Sequence, residues 1–456
     1  MKKNWRIIIA IMIVAIMMFP LAACDNKQKN LTRGATNKSN NNSAGSSNDN
    51  KDNDAGKQEE ITLTLWSIAT ESDAFHPAYK KAIEEFEASH PGIKIVHETF
   101  ENESYKTKIK TAVAANDLPD IFFTWGGGFS EAFVKSGKVL PLDQYYTDEI
   151  AKELPKAALN NATYDGKLYG TTYTSPVSCL FYNKRMYDRF GLTPPQTWDE
   201  LKNVCQTFLD NGITPFGLSV KDTWVLAMLH DALTLKAAGP EKTTAALRKQ
   251  GQSYDDPDFL NAAAKLRELI DMGAIIKDAA GLSNDEASVL FYNGTVPMYV
   301  TGSWMAGSLQ TDPENPEDFD VVPIPVLNDK NAKITDFMGG AGDTFMVAAS
   351  TGNPDIAAEA AFAFTKSISK YAYLDGAGNP VWKIDYDDST VNPITRKIAD
   401  YTSKASSFTL WFDTLMTAED AGEYLNLLQG LYGGNISPKE FTKRMANQLG
   451  VFSGLE

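Results

Sequence analysis

The sequence predicts an α/β protein built as two lobes, on two observations. Strand-like and helix-like segments alternate from Ile61 onward, the pattern of a parallel sheet covered by helices. The stretch able to fold, Ile61 to Glu456, is roughly 400 residues, more than one hydrophobic core usually serves.

Each element follows from local pattern. Ile61-Thr62-Leu63-Thr64-Leu65-Trp66 alternates apolar and β-branched residues and reads as a strand. Tyr79, Ile83, Phe86 and Glu87 sit at helical spacing, and His90-Pro91-Gly92 ends that helix before a second strand, Ile93 to Val96. A helix from Tyr105 to Ala115, the break Asn116-Asp117-Leu118-Pro119 and the run Ile121-Phe122-Phe123 repeat the unit. Tyr164 to Gly170 reads as a turn and hairpin leading into an extended segment, Thr171 to Tyr182. Thr197 and Glu200 form a capping box at a helix start. Further strands are expected at Val296 to Thr301, Phe319 to Ile324 and Thr344 to Ala349, with a largely helical last third.

The N-terminus has a different character. Lys2, Lys3 and Arg6 precede an apolar run from Ile7 to Phe19, about a dozen residues where a bilayer needs about 20. Leu21-Ala22-Ala23-Cys24 resembles the bacterial lipobox, which implies a signal peptide over residues 1–23 and a lipidated Cys24. Two acyl chains give stable membrane attachment where one does not. Residues 24–60, mostly Asn, Ser, Lys, Asp, Gly and Gln after the cysteine, bury too little to fold and read as a tether.

Composition excludes several classes. A net charge of −15 argues against a nucleic-acid partner, which needs basic surface. The glycines at Gly126 to Gly128 lack the Lys-Ser/Thr or second glycine pair of a phosphate loop, so they read as close approach of backbone to a ligand or to the neighbouring lobe. His76, His90, His97 and His230 share no ligand spacing, and no calcium loop, G-x-S-x-G or H-E-x-x-H is present, so neither metal nor cofactor is expected. With Cys24 given to lipid, Cys179 and Cys205 are left either to pair as an exported disulfide or, as their apolar surroundings favour, to stand as buried free thiols.

The order of segments resembles the family of extracellular solute-binding proteins that includes maltose-binding protein and the multiple-sugar receptors. The matching pieces run from Leu63-Thr64-Leu65-Trp66-Ser67 through Pro91-Gly92-Ile93, Pro119-Asp120-Ile121, Gly166 to Gly170, Phe181 to Lys184, Thr197 to Leu201 and Phe291 to Gly294. They close on Gly302-Ser303-Trp304, Gly339-Gly340 and Asn353-Pro354-Asp355. The resemblance implies a type II periplasmic-binding-protein-like fold with a three-segment hinge. Its crossings are expected near Thr174 to Ser178, Val300 to Trp304 and Ala348 to Gly352. The lobes are then 61–175 with 305–348, and 176–304 with 349–456. It also implies a monomer at the outer face of the cell membrane that captures a sugar or oligosaccharide between the lobes and delivers it to ABC permease subunits.

Sugars offer a flat C–H face to aromatic rings and hydroxyls to polar groups. Ligands of α/β sheets bind beyond the carboxyl ends of strands, which nominates Trp66, Glu71, Trp125 and Gly126. From the resemblance come Tyr173 and Trp304 beside the crossings, Trp224 and Asp222 from the second lobe, and the Gly339-Gly340 loop with Asp343. Trp411 stands in an aromatic patch open to either cleft or core. Asp120 is expected to hold backbone groups at the start of its strand. The alternatives are a receptor for polyamine, iron or peptide, or a glycoside-acting enzyme with two carboxylates across the scissile bond, for which no pair stands out.

Overall fold

The computed structural model describes residues 60–451 apart from residue 384; the export segment, Cys24 and most of the tether lie outside the described residues. The strands are β1 (Ile61–Ser67), β2 (Ile93–Thr99), β3 (Ile121–Trp125), β4 (Thr163–Tyr164), β5 (Lys167–Leu168), β6 (Gly170–Thr174), β7 (Ser178–Asn183), β8 (Phe216–Gly217), β9 (Met298–Gly302), β10 (Phe319–Val322), β11 (Asp336–Met338), β12 (Asp343–Val347) and β13 (Ser407–Thr409).

The first lobe is the α/β unit expected from the periodicity. β1 pairs in parallel with β2 from Ile61 opposite Ile93 to Ser67 opposite Thr99, and with β3 on its other side. The period of two sends Leu63, Leu65 and Ser67 into the core and Trp66 to the opposite face. Asp120 plays the expected part at the start of β3: one carboxylate oxygen accepts from the backbone N–H and hydroxyl of Thr64, both at 2.8 Å. The sheet continues through β12 and β6, in the order β2-β1-β3-β12-β6, with β12 antiparallel to both neighbours. The hairpin β4–β5 turns at Asp165 and Gly166, both at positive φ.

The second lobe has a four-stranded sheet of order β10-β7-β9-β8, in which β7 is antiparallel to β9 and β10 while β8 runs parallel to β9. Its core forms around the helix Thr223–Ala238, which buries every residue from Val225 to Ala238. The capping box at Thr197 and Glu200 is present, and Cys179 and Cys205 are buried and free.

The lobe boundaries need correction. The first passage from one sheet to the other runs through residues 175–177, between β6 and β7. Val300 to Trp304 is no crossing: β9 and the helix Met305–Thr311 share one core, and β10 then pairs with β7. Residues 305–338 therefore belong with the second lobe. The chain returns through Gly339 to Gly342 into β12. Ala348 to Gly352 does not cross either, because the helix Pro354–Leu374 packs Ala357, Ala361, Phe364 and Ile368 into the first core, joined there by Trp382. The third passage lies between Trp382 and the helix Pro393–Ser403, whose Ile398 packs in the second lobe.

Candidate functional site

A cavity of about 940 Å³ opens between the lobes, within the range of ligand sites. The loop after β1 and the start of the helix Asn102–Ala115 bring Asp73, Phe75, Glu101 and Lys106 to it from the first lobe. Asn284, Asp285 and the start of the helix Thr223–Ala238 bring the second-lobe wall.

Three tryptophans make a near-continuous aromatic face. Trp304 lies 6.3 Å from Trp224 and 6.0 Å from Trp411, centroid to centroid, at interplanar angles of 56° and 58°. Trp411 is fixed by its indole N–H, which donates to Ser178 Oγ at 2.8 Å beside the first crossing. Trp125 closes the first-lobe side, edge-on to Phe123 and Phe129. Lys106 stands over that ring, 5.4 Å from its centroid, and pairs with Glu103 at 3.0 Å and with Asp413 of the second lobe at 3.5 Å.

Polar groups with spare capacity face the same space. Asn102 Oδ1 is buried without a hydrogen-bond partner among the described residues. The Asp343 carboxylate accepts no hydrogen bond from a described residue; burial pushes its pKa up to about 7, helped by the negative charge of Asp73. Burial likewise raises Asp73 to about 6, opposed by the Phe75 N–H that donates to it at 2.8 Å. Both carboxylates keep a partly exposed edge on the cavity. Beneath them, Tyr79 donates to the Tyr173 hydroxyl at 3.1 Å and stacks on His97.

Of the residues nominated from sequence, Trp125, Tyr173, Asp222, Trp224, Trp304, Asp343 and Trp411 line this cavity together. Five do not. Trp66 turns outward against Phe100, with Lys108 Nζ 4.0 Å from its ring, because β1 alternation points it away from the face of Leu65. Glu71 is exposed and does not line the cavity, whereas Asp73, two residues on, does. The three glycines are fixed by close backbone packing. A Cβ on Gly126 would stand 2.6 Å from Asn161 O, and one on Gly339, at φ +125°, 2.1 Å from Pro176 O. Gly340 donates its N–H to Pro176 O at 2.8 Å, so the second crossing rests on the first by backbone contact. The neighbouring Gly128 meets the other lobe: its Cβ would stand 2.1 Å from Met416 O.

Sequence reasoning missed Asp73, Glu101, Lys106, Asp413 and Asn284. For Asp413 the signal was present, since it follows the nominated Trp411 by two residues. The others come from loops and helix starts that carry no pattern of their own.

The family model for bacterial extracellular solute-binding proteins matches residues 70–369. The chain belongs to that family. An extracytoplasmic location goes with membership. Among curated relatives, an uncharacterized ABC transporter extracellular-binding protein of Pyrococcus horikoshii is 24% identical over 299 residues, 64% of this chain and 64% of that protein. The chain thus spans slightly less than two thirds of the length of that relative. The multiple sugar-binding protein of Streptococcus mutans is 25% identical over 336 residues, 71% of this chain and 76% of that one. A solved structure from work on xylan utilization by the thermophilic bacterium Caldanaerobius polysaccharolyticus superposes with a TM-score of 0.82 at 34% identity, covering 85% of this chain and all of that one. The two-lobed solute-binding fold read from the sequence is the one these neighbours share.

Proposed function

We propose that this protein is the receptor of an ABC importer, capturing a sugar or oligosaccharide in the interlobe cavity and presenting it to the permease. The observation that carries the reading is the joined face of Trp224, Trp304 and Trp411, which shares one cavity with the Asp343 carboxyl group and with Asn102, whose Oδ1 is buried without a partner among the described residues. Aromatic faces cover the C–H side of a pyranose, and buried acceptors discriminate hydroxyls. The relative that is a multiple sugar-binding protein supports the same class. Ligand touching both lobes favours closure by its differential affinity for the closed state.

The finer parts of the proposal are these. Cys24 carries the lipid that holds the protein at the outer face of the membrane, through the tether that ends at residue 60. The protein works as a monomer and catalyses no reaction on its ligand. Residues for the ligand are Trp125, Tyr173, Asp222, Trp224, Trp304, Asp343 and Trp411, with Asp73 and Asn102 added.

Thermal shift against neutral mono- and oligosaccharides tests it, since a ligand at 100 times its Kd stabilises by about 2.7 kcal/mol. At least one sugar should bind saturably, and Trp224→Ala and Trp411→Ala should each weaken it about tenfold or more. Stabilisation by a polyamine alone, with none by any sugar, would refute the reading. Release of reducing sugar from a glycoside would refute the statement that no reaction is catalysed.

A further inference from the structure

The cavity has a charge balance that its ligand class does not require. Among the described residues lining it are eleven carboxyl side chains, three of which (Asp73, Asp231 and Asp343) burial shifts toward the neutral acid, and three basic side chains, Lys106, Arg185 and Lys221. Two of those cations are already engaged. Lys106 lies between Glu103 and Asp413 with 15% of its side chain exposed, and Arg185, 68% exposed and so outside the cavity interior, pairs through Nε with Asp318 at 3.2 Å. Lys221 stands exposed at the rim. The tryptophan face, by contrast, carries no charge, and the acceptor at Asn102 is a neutral amide.

An anionic ligand therefore meets no uncommitted cation in the interior of the cavity. To enter, it must either displace a carboxylate from Lys106, leaving that carboxylate unpaired, or stand beside carboxylates of its own sign such as Glu101 and Asp285. Both routes oppose binding, and because carboxylates such as Glu101 and Asp285 are exposed at the cleft, dissolved salt weakens the repulsion. A neutral sugar meets neither obstacle, because its hydroxyls donate to the same carboxylates.

We infer that this cleft selects uncharged sugar rings and excludes sugars that carry a uronate, sulfate or phosphate group. The inference rests on the sugar-receptor reading above and names its ligand class more narrowly. The selection is electrostatic, not steric, and so it responds to ionic strength.

The test is calorimetric titration of the purified protein with matched pairs: neutral oligosaccharides and the same backbones bearing one glucuronic acid. At low salt the acidic member should bind about tenfold or more weakly, the penalty expected of like charges brought together in an interface. The gap should narrow as sodium chloride is raised to about 1 M, where the screening length is near 3 Å. It should also narrow in a Glu101→Gln/Asp285→Asn double variant, read as the ratio of the two affinities, so that a general loss of binding cancels. Equal or tighter binding of the acidic sugar overturns the inference and leaves the sugar-receptor reading standing. A gap that ignores both salt and the double variant overturns it too, by making the exclusion steric. If no sugar of either kind binds, the receptor reading falls and takes this inference with it.

Discussion

The two lobes keep their polar groups in different places. In the first, the helix His76–Ser89 buries only Ala78, Tyr79, Ala82 and Phe86, one stripe at helical spacing, and its charges stay in water. The helix Thr223–Ala238 at the centre of the second lobe is buried on every face, and His230, Asp231 and Lys236 go in with it. Those groups are tied down by the chain around them. Asp231 accepts from the Phe412 N–H at 2.9 Å and from the Tyr424 hydroxyl, which also bonds His230 Nδ1 at 2.9 Å. Lys236 donates to the carbonyls of Lys333, Ile334 and Asp336, at 2.9, 3.0 and 2.6 Å. The segments so held are the ones that matter to the cleft: Phe412 lies between Trp411 and Asp413, and Asp336 opens the strand that leads into the second crossing. The central helix of the second lobe thus holds the cleft segments through buried charged groups, whereas the helix His76–Ser89 buries only apolar side chains and one tyrosine.

The largest effect should come from breaking that distinction at its centre. Asp231→Ala strands the Phe412 N–H in a dry core and takes one of the Tyr424 hydroxyl's two hydrogen bonds, at about 1–3 kcal/mol for the stranded donor and about 1 kcal/mol for the lost bond, so about 2–4 kcal/mol in all. Asp120→Ala in the first lobe removes at least as many hydrogen bonds, but at a partly buried site that water still reaches, and should cost about 1 kcal/mol. Urea unfolding of both variants measures the two losses. Equal costs would remove the contrast between the lobes.

A smaller effect is expected at the seam between them. The Cβ of Gly128→Ala would stand 2.1 Å from the Met416 carbonyl, a contact that only a backbone shift can relieve, costing about 1–3 kcal/mol. Gly422→Ala, in the helix Ala418–Tyr432 with nothing within 4 Å, should instead stabilise by about 0.5–1 kcal/mol. Thermal denaturation of the pair reads the sign. Two stabilised variants would mean that the lobes do not meet at Gly128.

The same contrast explains what could be read from the sequence. β1 to β3 and their helices announce themselves through period-two and helical spacing, because each segment packs against its neighbours in the chain. β12 was legible as a strand, yet its place between β3 and β6 was not, since the pairing joins segments more than 150 residues apart and leaves no local pattern. Two crossings were misplaced for that reason. The helix Thr223–Ala238 has no apolar stripe to detect, being buried all round. In the cleft the aromatic residues were legible as residue types at strand and helix ends. The nominated glycines misled: a glycine forced by close backbone approach looks the same whether it meets a ligand or, as at Gly339 and Pro176, another strand of the hinge.

The smallest effect concerns pH, and it separates the cleft carboxylates from the rest of the chain. Asp343 has a folded pKa of about 7 against an unfolded value of 3.8, so between those limits the folded protein holds a proton that the unfolded chain has released. Stability contributed by that proton is present below about pH 4 and is lost as pH rises through about 7. Asp73, raised to about 6, acts in the same direction over a narrower window. Both groups are partly exposed to the cleft, so solvent screening reduces the effect below what the bare shifts imply. Asp343→Asn keeps the shape of the protonated acid and removes its titration. The variant should match the parent in Tm near pH 4 and exceed it near pH 8, and the difference between the two curves isolates Asp343 because every other titrating group is common to both. Superimposable curves would mean that Asp343 is ionised and well solvated in the cleft throughout, and that the first-lobe wall is wetter than the packing around Tyr79 and Tyr173 implies.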